Sequence, residues 1–403
     1  MGIPDKHIIG PVSASPLQMI MEFSHLPDNQ PWPYPPPTGP AAKIDGSGGY
    51  VSAVWADWTV LPAINVVNDA LYTGDLGPGK TYLDSLVHYH LYGHMLNASG
   101  TPAAGLVIDT TCTQAGHRCL TALIDTSGGS DDGFVQSHAN AVVQAWVYYG
   151  MQQVARLARW IGRVDVADSL DAKAAAMKVA FNRLMVSDTG AVCDGLCAEI
   201  NHTSIHSSFY AMAFGLVNDS HRVATFSYIK SRIDSSSVGF PGGSYPIQFL
   251  LVALYGAEFD HGHEGMDVLT STKKHGWLAM MTAHNATTTM ECWSPDELPN
   301  LSFSHIWSAS PSFIIPWYLA GVQPLTPGWN TLEIKPQPGS LTSFTLSMTT
   351  VKGPVHTNVT QVFGAGGELA HFRLEASIPG NVAAKLHVPR PPSQYDPPLP
   401  PPL

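Results

Sequence analysis

From Val51 to about Ala320 apolar residues recur at helical spacing, and the helices they mark come in pairs. The sharpest runs from about His138 to Ile161, with Val142, Val143, Trp146, Tyr149, Val154, Leu157 and Ile161 along its apolar side, and Gly162 stops it. Asp165 opens its partner through Leu170, Ala174, Met177, Phe181 and Leu184, which Asp188-Thr189-Gly190 ends. Fainter pairs lie at 53–73 with 79–95, 205–216 with 219–235, and 244–257 with 261–272, and a last apolar helix is expected over 309–320 around Pro311 and Pro316. Antiparallel helix pairs continued over about 270 residues point to a helical toroid rather than a four-helix bundle. No internal sequence repeat is present, which argues against a solenoid.

The pattern changes on both sides of this block. Residues 26–50 carry Pro27, Pro31, Pro33, Pro35, Pro36, Pro37 and Pro40, then Gly46, Gly48 and Gly49, so residues 1–50 read as loop with at most the start of the toroid. After Gly321 short, mostly alternating runs take over at 332–336, 344–348, 355–359, 369–374 and 383–388, separated by Gly and Pro. They predict a small antiparallel β-sandwich over 322–388 following the helical domain of 51–321. Residues 389–403 are proline-rich and read as a disordered tail.

Composition narrows the function. With 44% hydrophobic and only 13% charged residues the 403-residue chain can bury a large core. Its 20 basic against 31 acidic residues give a net charge of −11, without the Lys/Arg cluster that a nucleic-acid phosphate backbone or an anionic membrane requires. The longest apolar runs, such as Phe249 to Tyr255, fall far short of the ~20 residues of a spanning helix. No signal peptide is legible at Met1–His7, yet six of thirteen Asn open a glycosylation sequon (Asn97, Asn201, Asn218, Asn285, Asn300 and Asn358). Cys112 with Cys119 and Cys193 with Cys197 form two close pairs, leaving Cys292. Disulfides in a secreted chain and five reduced thiols both fit, and the spacings do not suit zinc. No His-Glu-x-x-His or similar spacing occurs, so no metal or other cofactor is expected.

Four clusters combine carboxylates with aromatic rings, the composition of a carbohydrate cleft, where rings stack on sugar C–H faces and carboxylates bind hydroxyls and carry protons. They are Trp55-Ala56-Asp57-Trp58; Asp131-Asp132-Gly133-Phe134, followed by His138 and Asn140; His275-Gly276-Trp277; and Thr287 to Trp293 with Ser304-His305-Ile306-Trp307. Each has a plainer alternative. Asp57 could cap a helix, Asp131 and Asp132 could be turn residues, the tryptophans could be core, and His275 suits a surface imidazole. Glu291 is the sharpest candidate: between His275 and Pro295 there is no other Asp, Glu, Lys or Arg. A poorly solvated carboxyl without a nearby cation would have a raised pKa, as a proton-transfer group needs; a buried structural glutamate is the alternative.

These segments resemble the α-L-rhamnosidases of glycoside hydrolase family 78. Thr289-Met290-Glu291-Cys292-Trp293 is similar to that family's Glu-x-Trp segment, and His305-Ile306-Trp307-Ser308-Ala309-Ser310-Pro311 to its His-Ala-Trp-Gly-Ser/Ala-Ala-Pro run. Gly321-Val322-Gln323-Pro324-Leu325-Thr326-Pro327-Gly328-Trp329 resembles its domain junction, and Ile334 to Gly339 follows in place. The resemblance implies a mainly α fold, an (α/α)6 six-hairpin toroid followed by a β-sandwich. It also implies an inverting hydrolase that removes terminal α-L-rhamnose from a glycan or glycoside. Glu291 would be the general base, and Asp57, Trp58, Asp132, Trp277, Trp293, His305 and Trp307 would bind the sugar. The family's general acid belongs to an Arg-Asp-Glu-Arg-x-Gly-Trp type of motif, which nothing here matches, since no Arg precedes Arg118. Nine or ten legible helices, against twelve for the full toroid, lead us to expect an N-terminally incomplete barrel. The alternatives are a carbohydrate-binding relic without turnover, and a six-hairpin glycosidase for another sugar.

Overall fold

The computed structural model describes residues 42–44, 50–52, 56–91, 97, 100–101, 103–109, 122, 124, 131–298 and 300–389. Most of the Pro/Gly-rich stretch, Trp55, the Cys112/Cys119 pair and the tail from Arg390 lie outside the described residues; of Trp58 only the helical backbone lies within them. Two short strands, β1 (Ala42–Ile44) and β2 (Tyr50–Ser52), pair antiparallel at the start.

The helices are α1 (Ala56–Thr73), α2 (Gly77–Ser85, continued as a π-turn to His90), α3 (Ala141–Trp160), α4 (Val164–Leu184), α5 (Ile205–Ala213), α6 (Asp219–Ser235), α7 (Ile247–Ala257), α8 (His263–Leu269) and α9 (Trp277–His284), then α10 (Pro311–Ile314), continued as a π-turn to Leu319. The expected pairs are present, α2 and α4 beginning slightly earlier than expected, while residues 53–55 and 92–95 of the first expected pair lie outside the described residues. The final helix starts at Pro311 because proline tolerates the first turn, where no N–H is needed. Helix α9 was not expected: eight residues are too few for a visible period, and Asn285 in left-handed conformation ends it.

Burial divides these helices into two layers. Helix α5 buries every residue from Ile205 to Met212, and α3 and α7 bury side chains around most of their circumference. Helix α4 buries one stripe, Ala167, Leu170, Ala174, Met177 and Phe181, and α6 only Thr225, Phe226 and Ile229. A helix apolar all round belongs inside, and one with a stripe belongs outside. Accordingly α1, α3, α5 and α7 pack in sequence as an inner layer, with α4 against α3 and α6 against α5. Trp146 anchors the core, ringed by Tyr210, Phe214 and Phe249 at centroid distances of 5.0–6.1 Å. Full burial of each such ring contributes roughly 1.5–3 kcal/mol.

Side-chain contacts place the N-termini of the inner helices on one rim. The Asp194 carbonyl accepts the N–H of Ala141 on α3, and its carboxylate accepts Ser204 N–H and Ser207 Oγ–H at the start of α5. His206 of α5 packs against Phe240, in the segment leading into α7. Tyr245, just before α7, donates to Asp57 in the first turn of α1.

The C-terminal part holds two three-stranded sheets. One has the order β3 (Val322–Pro324), β4 (Thr331–Ile334), β8 (Ala383–Leu386); the other is β5 (Ser343–Thr350), β6 (Gly353–Phe363), β7 (Leu369–Ser377). All pairs are antiparallel except β4 with β8. Strand β8 crosses over from the other sheet and enters beside β4 in the same direction, which alternation along one strand cannot reveal. On β6 Val355, Thr357, Val359 and Gln361 point inward at period two. Trp329, Val322, Leu332, Ile334 and Val355 form the sandwich core, which Tyr72 from α1 also joins.

Candidate active site

Glu291 lies in the loop between α9 and α10, which folds back on itself. Its N–H donates to the Ser302 carbonyl, and its carboxylate Oε2 accepts the Ser302 N–H, both at 2.9 Å. Beside it the His305 N–H reaches the Thr289 carbonyl at 2.8 Å, and Thr289 Oγ donates to the His305 carbonyl at 2.9 Å. The Glu291 carbonyl takes two further donors, the Ser244 hydroxyl and Trp307 Nε1, the latter at 3.0 Å. Met290, Cys292 and Trp293 are buried around it, whereas the Glu291 side chain keeps 20% of its surface exposed. The residue is therefore gripped through its backbone and one carboxylate oxygen. Oε1 has no protein hydrogen bond among the described residues.

His305 Nδ1 stands 4.0 Å from Glu291 Oε2, and its ring lies 4.0 Å from that of Trp307. Tyr245 sits 5.6 Å from Trp307 and donates its hydroxyl at 2.9 Å to Asp57 Oδ2, which is fully buried. Burial, then the negative charge of Asp57, drives the Tyr245 phenol pKa well above its ordinary value, so this hydroxyl stays a donor. Asp57, Tyr245, Trp307, His305 and Glu291 thus form one contiguous group on the rim of inner-helix N-termini, where the helix dipoles favour anionic groups. The carboxyl isolation expected for Glu291 is not what the structure shows: an imidazole and an amide N–H stand beside it.

The other candidates take different positions. Trp293 is fully buried, donates Nε1 to the Gly242 carbonyl at 2.8 Å and stacks on His275. Trp277, in edge contact with Trp293, donates Nε1 to the Ser308 carbonyl at 2.8 Å. These two rings hold the Glu291 loop from behind. His275 is buried rather than on the surface, bonded through Nδ1 to the Phe240 carbonyl and 3.4 Å from Glu297 through Nε2. Burial raises the Glu297 pKa, but hydrogen bonds from His275 and Lys274 outweigh it and leave the carboxyl below its ordinary value.

Asp132, in left-handed conformation at φ 51°, accepts Ile205 N–H at 2.8 Å and pairs with Arg232, so it caps α5. Asp131 accepts the Gly133 N–H in a turn. Cys193 and Cys197 form a disulfide beside Asp194, and Cys292 is a buried thiol. Among the described residues no group of three His, Cys, Asp or Glu side chains converges on one point as a metal site would need, and no helix is long and apolar enough to cross a membrane.

Sequence reasoning missed Ser244 and Tyr245. The Gly/Pro-rich run Gly239-Phe240-Pro241-Gly242-Gly243-Ser244-Tyr245-Pro246 before an apolar helix was the available signal of a fixed loop at an inner-helix N-terminus.

Two family models match the chain. The bacterial α-L-rhamnosidase six-hairpin glycosidase domain covers residues 31–319 and the bacterial α-L-rhamnosidase C-terminal domain covers residues 321–397. No curated protein matches. Among solved structures, the Streptomyces avermitilis α-L-rhamnosidase complexed with L-rhamnose aligns at TM-score 0.65 and 20% identity, over 93% of this chain and 33% of that one. The α-L-rhamnosidase from Dictyoglumus thermophilum aligns at TM-score 0.62 and 17% identity, over 83% and 34%. The family 78 rhamnosidase of Bacillus sp. GL1 aligns at TM-score 0.59 and 20% identity, over 83% and 34%. The chain spans about a third of the length of these proteins, and at such identities the likeness is one of fold.

Proposed function

The chain belongs to the bacterial α-L-rhamnosidase six-hairpin family, and from that membership we propose that it forms part of a glycoside hydrolase that removes terminal α-L-rhamnose from a glycan or glycoside. The observation that carries this reading is the gripped, partly exposed Glu291 carboxyl on the inner-helix rim, with Oε1 left open. In an inverting step Glu291 Oε1 takes a proton from water as that water attacks the anomeric carbon. The leaving oxygen takes a proton from a separate acid, to which no residue here is assigned. Trp307 and His305 form the wall against which the sugar ring packs. Asp57 acts through Tyr245, Asp132 fixes the rim at α5, and Trp277 and Trp293 position the loop.

The test is hydrolysis of an aryl α-L-rhamnoside by the chain and by Glu291→Gln, with the first-formed anomer read by NMR. Turnover with inversion, reduced about 100-fold or more in the variant, is expected. Turnover unchanged in the variant overturns the assignment of Glu291. The second reading is carbohydrate binding without hydrolysis. L-Rhamnose binding by a folded chain that turns over no aryl rhamnoside would establish it.

A further inference from the structure

A cavity of about 460 Å³ opens between the helical part and the sandwich, within the range of small-molecule sites. Its waist is a pair of glycines, Gly74 after α1 and Gly328 in the turn before β4. Both are left-handed, at φ 82° and 63°. A β-carbon at Gly74 would stand 3.2 Å from the Gly328 Cα, and one at Gly328 would stand 3.1 Å from the Gly74 Cα. The two backbones therefore approach as only glycines permit.

Trp160, the last residue of α3, lines the cavity half-buried. Arg156, one turn earlier, lays its guanidinium over the ring at 4.7 Å from the centroid and donates to the Leu325 carbonyl, tying the ring to the sandwich. Lys352 also lines the cavity, at the tip between β5 and β6. Its N–H is held by Thr350 Oγ at 3.1 Å, and that hydroxyl donates in turn to the Gly353 carbonyl at 2.8 Å. In a chain with 31 acidic against 20 basic residues, the Lys352 ammonium has no carboxylate within ion-pair distance among the described residues. Asn330 donates Nδ2 to the Pro327 carbonyl at 2.9 Å, and no donor among the described residues occupies its amide oxygen.

A rigid aromatic wall, an unpaired ammonium and an open amide acceptor match three parts of one ligand class: an apolar sugar face, a carboxylate and a hydroxyl. We infer that this cavity binds an acidic saccharide, its ring against Trp160 and its carboxylate on Lys352. The choice of a saccharide rests on the glycosidase reading above; the choice of an acidic one rests on Lys352. The cavity lies at the C-terminal end of α1 and Asp57 at the other, separated by roughly 25 Å of helix, so this is a second site and not an arm of the first.

The test is titration of the full chain with D-glucuronate, followed by calorimetry and tryptophan fluorescence, beside D-glucose and acetate. Glucuronate is expected to bind more tightly than either. Lys352→Ala, in the turn between β5 and β6, should weaken it about tenfold, and Trp160→Ala should abolish the fluorescence change. Glu291→Gln should leave glucuronate binding untouched, so this result stands or falls apart from aryl-rhamnoside turnover. No binding, equal binding of glucose, equal binding of acetate, or full affinity in Lys352→Ala overturns the inference. Loss of glucuronate binding in Glu291→Gln also overturns it, by moving the ligand to the other site.

Discussion

His206 is completely buried, and neither ring nitrogen has a hydrogen-bond partner among the described residues. Burial pushes its pKa down to about 3, against a smaller opposing pull from Asp194. The folded chain therefore keeps this imidazole neutral while the unfolded chain protonates it at an ordinary value near 6.5. Its contribution is fully present above about pH 6.5 and is lost as pH falls from there toward about 3, at roughly 1.4 kcal/mol per pH unit. Thermal midpoints should fall between pH 6 and pH 4, and His206→Phe should flatten that slope; an unchanged slope would show that the ring is solvated. Ser244 carries a prediction about function. Removing its hydroxyl leaves Trp307 Nε1 as the remaining donor to the Glu291 carbonyl found among the described residues. Ser244→Ala should cost about 1 kcal/mol of stability; under the hydrolase reading proposed above it should also lower kcat about tenfold with little change in L-rhamnose affinity, because that reading has Ser244 place the carboxylate and not contact the sugar. Equal losses in kcat and affinity would argue against a positioning role.

At the scale of elements, the inner layer depends on close approach. Gly150 lies mid-α3, where a β-carbon would stand 2.6 Å from a Leu91 methyl and 2.7 Å from a Val60 methyl of α1. Alanine gains up to about 1 kcal/mol of helix propensity, but the clash with a branched valine costs about 1–3 kcal/mol. Gly150→Ala should therefore lower the urea midpoint, and a raised midpoint would mean that α1 shifts freely. The long helices were legible because a sequence displays the period of a 20-residue helix directly. Helix α9, strand β3 and the parallel pairing of β8 were not, because three to eight residues carry too little periodicity and pairing direction leaves no local trace. The same distinction divides the site. Glu291, His305 and Trp307 fall within one short segment that could be recognised. Ser244 and Tyr245 reach their partners across 47 and 188 residues of sequence, and nothing local records such contacts.

Across the whole molecule, the helical part and the sandwich share side chains. Tyr72 of α1 stacks on Trp317 and meets Trp329 edge-on, both at 5.8 Å between centroids. Gln337 donates to the Tyr255 carbonyl at 2.9 Å, His261 bonds Gln361 at 3.1 Å, and Lys335 pairs with Glu258. Trp329 is fully buried, and Trp329→Ala should cost about 3–5 kcal/mol. Helical circular dichroism and tryptophan fluorescence should then fall together in one earlier transition; two separated transitions would show that the halves unfold independently. The doubly gripped Glu291 peptide has a consequence in time. A Glu291 whose carbonyl is held by Ser244 and Trp307, and whose carboxylate is held by the Ser302 N–H, does not wait for an arriving ligand to order its loop. Under the hydrolase reading, encounter and productive placement would then be a single event, with occupancy governed by how long the sugar stays rather than by a slow closing step.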